Sequence, residues 1–219
     1  MKAFLAILFL ASGSFSWADS TEFGNGGSAV VCTLPIRMYD AVEAKARYGM
    51  EPVLPKGPSA DYCQKQNDNC TLVAKTIVSR LKKMDPQLET ILQSLVNNFW
   101  SEAMLTYYDL LPVHDTGVGF IERGCELKQL AIQHRPLFEE DRRYFIDRKI
   151  WDHMFDDQRA VLIVHEVLYN YALQLLPETN SSEKIRYFNA LLLSNKISVL
   201  APEKYQVIKA KVFPTTKGL

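Results

Sequence analysis

The run Gln158–Leu176, QRAVLIVHEVLYNYALQLL, sets the terms for the rest of the chain. It is long enough for five helical turns and ends at Pro177. From Ala160 onward every position but His165, Glu166, Asn170 and Gln174 is apolar, and the last three are the polar stripe of the helix. Those three are spaced four apart and fall on one stripe of a helix, with Glu166 directly after His165. A helix this apolar must be packed on most of its circumference, so other elements have to surround it. Two readings of the stripe follow. It is the solvent side of a largely buried helix, with His165 hydrogen-bonded near the boundary, or it is a polar site used for binding or proton transfer.

The surrounding material suffices for one domain. The chain has 219 residues, 47% of them hydrophobic. Its 25 Lys and Arg balance 25 Asp and Glu. A neutral chain lacks the basic field that nucleic acid or an anionic membrane requires, so no nucleic acid is expected as partner. Positive Lys2, the apolar run Ala3–Ala11 and small residues at Ser16 and Ala18 form a signal-peptide pattern over 1–18. The apolar run is too short to span a bilayer stably, and no membrane span is expected in the mature chain. The chain is therefore read as exported, periplasmic or extracellular.

Export changes how Cys32, Cys63, Cys70 and Cys125 read. An even number in an oxidising compartment points to disulfides, with three connectivities possible. The polar loop QKQNDN favours Cys63–Cys70 and leaves Cys32–Cys125. On the chain-entropy model the two bridges contribute about 2.5 and about 4.5 kcal/mol. A four-Cys zinc site lacks paired C-x-x-C spacing.

Pattern along the chain divides it into a flexible Gly-rich leader over 19–27 and a single α+β domain over 28–219. The domain is mostly helical with a small antiparallel sheet. Strands are expected at Ser28–Cys32, Leu127–Ile132 and Tyr144–Ile150. Helices are expected at Ile36–Tyr48, Thr71–Met84, Pro86–Leu111, Gln158–Leu176, Ile185–Ser194 and Pro202–Val212. Asp156 or Asp157 is a candidate cap for the central helix, and Asn180 with Glu183 forms a capping-box pattern. Trp100, Tyr107, Tyr108 and Trp151 sit at core-like spacings.

The run His165-Glu166-Val167-Leu168-Tyr169 resembles the H-E-x-x-H helix of zincin-type metallopeptidases. In that motif two His one turn apart hold zinc, and the Glu takes a proton from the zinc-bound water. Here Tyr169 replaces the second His, so the pattern is degenerate. The resemblance implies a diverged or inactive zinc-dependent peptide or amide hydrolase. His165 would be the metal ligand, Glu166 the general base, and Tyr169 an oxyanion partner or weak ligand. Arg186 and Asn189 lie three apart on the next helix, where both can approach Glu166 and compensate its charge.

The chain also resembles a group of uncharacterised exported bacterial proteins. The matching stretches are Gly24-Asn25-Gly26-Gly27, Val30-Val31-Cys32, Tyr39-Asp40-Ala41-Val42-Glu43-Ala44, the H-E-x-x-Y run and Arg186-Tyr187-Phe188-Asn189. Ser28 stands where that group carries an acidic residue. This resemblance implies export and envelope residence, and it carries no activity with it. The alternative to a hydrolase is a non-catalytic binding or envelope-interaction module, with a peptide or envelope component as partner.

Overall fold

The computed structural model describes residues 22–23, 27–32, 35–55, 63–113, 115, 117–119, 121–138, 140–177, 179 and 181–214. The signal-peptide pattern and most of the leader lie outside them, as do His114 and Asn180.

The chain is an α+β domain in which helices surround one central helix and two small sheets cap the assembly. The first sheet has β2 (Ser28–Val31) at its centre. It is flanked antiparallel by β3 (Arg37–Met38) and β5 (Glu126–Gln129). Val31 pairs with Glu126 at the end of that ladder, and the Cys32–Cys125 disulfide closes it one step further, with Cα atoms 4.3 Å apart. The second disulfide joins Cys63 to Cys70. Both pairings are those the spacing favoured.

The second sheet runs β1 (Glu22–Phe23), β6 (Ala131–His134), β7 (Tyr144–Asp147), β4 (Ala103–Thr106). Its β4–β7 pair is parallel, which corrects the expectation of a wholly antiparallel sheet. Pairing also overrides pattern elsewhere. The helix expected over Pro86–Leu111 stops as α3 (Pro86–Glu102), and the chain turns extended at Ala103 to add β4. Tyr107 and Tyr108 are consequently exposed rather than core. The strand expected at Leu127–Ile132 splits at Leu130, so β5 joins one sheet and β6 the other. The strand expected over Tyr144–Ile150 ends at Asp147, whose carboxylate caps the short α4 (Arg148–Trp151).

The central helix is α5 (Asp156–Leu175), buried on nearly all sides. It packs against α2 (Asn69–Val78), α3 and α6 (Glu183–Leu193), while α1 (Tyr39–Tyr48) lies across α6. Asp156 and Asp157 both fall inside its first turn instead of preceding it. Helix α7 (Pro202–Val212) covers α6, with Phe188 meeting Tyr205 and Phe213. Among the described residues no helix is long and apolar enough to cross a membrane.

Gly27 ties these layers together, and it is buried rather than part of a flexible leader. Its carbonyl accepts from the N–H groups of Leu130 and Ala131, both at 3.0 Å, where the chain switches sheets. Its own N–H donates to Glu166 Oε1 at 2.6 Å. A Cβ at this position would sit 2.3 Å from Leu162 Cδ1 and 2.9 Å from Met38 Cε, so those buried side-chain tips would have to shift to admit it.

Candidate functional site

Three polar clusters sit on or beside α5, and the predicted site residues divide among them. The first joins three helices. Asp40 on α1 presents Oδ2 to both His165 Nδ1 on α5, at 2.8 Å, and Asn189 Nδ2 on α6, at 2.6 Å. All three residues are buried to 1% exposure or less. Burial alone would push the His165 pKa down, but the facing Asp40 carboxylate outweighs it and holds the imidazole at about 9. Burial raises the Asp40 carboxyl, and the cationic His165 together with the Asn189 amide bring it below its ordinary value. The pair is thus an imidazolium and a carboxylate, with Nδ1–H donating. Among the described residues, Asp40 Oδ1 and Asn189 Oδ1 are both buried without a hydrogen-bond partner.

Glu166 forms the second cluster. It is fully buried, and each carboxylate oxygen is engaged. Oε1 accepts from Gly27 N–H, and Oε2 accepts from Gln133 Nε2 at 2.7 Å. The same Gln133 nitrogen donates to the Glu166 carbonyl at 2.8 Å, anchoring β6 to the helix. Burial raises the Glu166 pKa, partly opposed by His165 and by these donors.

Arg186 forms the third. Its Nε donates to Glu43 Oε2 at 2.7 Å, and its Nη1 bonds Asp115 and, at 2.8 Å, Ser182 Oγ. Arg47 continues the chain outward, bonding Glu43 at 2.9 Å and Glu183 at 2.5 Å. Burial disfavours the Arg186 cation, but Asp115 and Glu43 outweigh that and raise its pKa.

The expected convergence of Arg186 and Asn189 on Glu166 therefore does not occur. Asn189 serves Asp40, Arg186 serves Glu43 and Asp115, and Glu166 is compensated by a backbone N–H and a glutamine. Tyr169 points elsewhere again, donating its hydroxyl to the Thr179 carbonyl at 3.0 Å. The solvent-side reading of Glu166, Asn170 and Gln174 is also corrected: only Gln174 is exposed. Tertiary packing covers the first two with the second sheet. Asn170 donates to Tyr144 Oη at 2.8 Å and accepts from Gln174 at 3.1 Å.

These residues do not fit a catalytic zinc. Such a site takes three protein ligands and leaves one position open to water. Here Glu166 is sealed, Tyr169 is committed to a carbonyl, and His165 faces Asp40. Among the described residues, Cys32, Glu122 and Cys125 are the one set whose ligand atoms cluster closely enough for a metal, and both sulfurs are in the disulfide.

Asp40, Glu43, Gln133 and Gly27 are the partners that sequence reasoning missed. Asp40 and Glu43 had a signal: two acids three apart in an otherwise apolar helical turn. Gln133 had none, because alternation on a short strand does not distinguish a buried amide from a solvated one. No family model, curated protein or solved structure matches the chain.

Proposed function

We propose that this chain is an exported, non-catalytic binding or envelope-interaction module whose H-E-x-x-Y helix serves as polar core. The observation that carries this reading is Glu166, with both oxygens hydrogen-bonded inside the protein and none of its surface open to solvent. A general base must reach a substrate or its water within hydrogen-bond distance. The signal-peptide pattern and the two disulfides support export.

In this reading the polar clusters select one arrangement of helices. A buried ion pair contributes little net stability, but wrong registers would leave its charges unpaired. Asp40, His165 and Asn189 bring α1, α5 and α6 together, while Glu166 and Gln133 dock the second sheet through Gly27.

The test is metal content of the chain purified from an oxidising compartment without chelators, beside Glu166→Gln and His165→Ala. Substoichiometric zinc, with Glu166→Gln changing stability by about 1 kcal/mol and little else, is the expected result. About one zinc per chain, lost in His165→Ala, would overturn the reading and restore the diverged hydrolase.

A further inference from the structure

The polar ladder of α5 leads out of the core. Gln174, at its exposed end, and Asn170, 1% exposed, line a groove of about 330 Å³ together with Arg135 and Arg143. Pro136, Leu173 and Pro177 provide its apolar walls.

Both arginines flank the connection between β6 and β7. Arg135 follows β6 and Arg143 precedes β7, where His134 N–H donates to the Arg143 carbonyl at 2.8 Å. The turn between them is fixed by Asp141, whose Oδ2 accepts from the N–H groups of Leu137 and Phe138. Arg143 Nε is held by Glu102 at 2.7 Å. Among the described residues, neither the Arg135 side chain nor the terminal nitrogens of Arg143 have another partner. Among the described residues, the groove thus keeps one positive charge in excess, beside two carboxamides and an apolar wall. The C-terminus of α5 lies close by with its partial negative charge, yet none of its carbonyls accepts from either guanidinium.

We propose that this groove binds the free carboxylate of a ligand that carries an adjoining amide, as at the C-terminus of a peptide or in an N-acyl amino acid. A guanidinium offers paired N–H donors that match the two oxygens of a carboxylate. The exposed Gln174 carboxamide, oriented by its bond to Asn170 Oδ1, matches the neighbouring amide, and Leu173 with the two prolines takes an apolar side chain. Such an occupant deepens the binding-module reading and rests on it. The zinc measurement tests that reading separately, because the groove contains none of His165, Glu166 or Tyr169.

The experiment titrates the full mature chain with N-acetyl-Ala-Leu by calorimetry. The same dipeptide as its C-terminal amide, N-acetyl-leucine and acetate follow. The free acid is expected to bind about tenfold or more tightly than the amide, with affinity falling as salt rises. Arg135→Glu, at an exposed position, is expected to keep its thermal melt and to lose binding by a similar factor. N-acetyl-leucine matching the dipeptide would assign the site to acyl amino acids, and clearly weaker binding would assign it to peptide termini. Equal affinity for acid and amide, no binding of the acid at millimolar concentration, or undiminished binding by Arg135→Glu would each overturn the proposal.

Discussion

Glu166 and Gln174 occupy the same stripe of the same helix, two turns apart, and meet opposite surroundings. Around Glu166 both carboxylate oxygens are bonded to protein donors with none of the residue exposed, and the site is closed. Around Gln174 the neighbouring cations have donors to spare, and the site is open. Helical spacing placed both residues on one face, but the second sheet covers only the first half of that face. Whether a polar side chain forms part of the core or part of a binding surface therefore depends on where a neighbouring element ends.

The comparison breaks most readily at the closed end. Arg186→Ala leaves buried Glu43 to Arg47 alone and half-buried Asp115 to its Ser181 and Ser182 donors, and loss of about 3 kcal/mol in urea denaturation is expected. A loss below about 1 kcal/mol would mean that water reaches the cluster, and the closed region would not be closed.

Gly27→Ala comes next. Its Cβ would meet Leu162 and Met38 and crowd the Glu166 carboxylate, so a loss of about 1–3 kcal/mol is expected from the same measurement. An unchanged midpoint would detach Gly27 from the core.

The His165–Asp40 pair gives a pH dependence with a definite sign. The imidazole pKa is raised from 6.5 to about 9 on folding. Its contribution is fully present below pH 6.5 and is lost as pH rises through about 9. Stability should therefore decline over that window, and Asp40→Asn should flatten the decline. An NMR titration in which the His165 ring deprotonates near pH 6.5 would contradict the ion pair.

The smallest effect belongs to the open end. Arg135→Ala should change stability by no more than about 0.5 kcal/mol, because its side chain makes no bond among the described residues. A larger loss in thermal denaturation would give Arg135 a structural role and blur the contrast with Arg186.

Much of the architecture was legible because it follows from local pattern. The apolar run at 158–176 demanded a surrounded helix, and α5 is one. Pro202–Val212 was readable from Pro202 at the first helical position. The short polar loop between Cys63 and Cys70 pointed to the right bridge. What failed was pairing at a distance. Nothing in Ala103–Thr106 announces a strand, since its partner β7 lies about forty residues on, and nothing at Leu130 shows that the chain changes sheets there. The candidate site behaved alike. His165, Glu166, Arg186 and Asn189 are all buried, but Arg186 and Asn189 do not meet Glu166 as their spacing suggests, because helix spacing fixes faces and not which faces meet.

The sequence by itself determined the α+β class and the central helix, favoured the Cys63–Cys70 bridge, and marked His165 and Glu166 as polar residues in an apolar run. Those depend on hydrophobic period, turn chemistry and loop length, all of which act within a few residues. Only the tertiary structure decided that Asp40 takes His165 and Asn189, and that Gly27 and Gln133 take Glu166. It alone leaves Gln174 facing an open groove. Those choices rest on which surfaces pack together, with bonds spanning up to 149 residues of chain, beyond the reach of any local pattern.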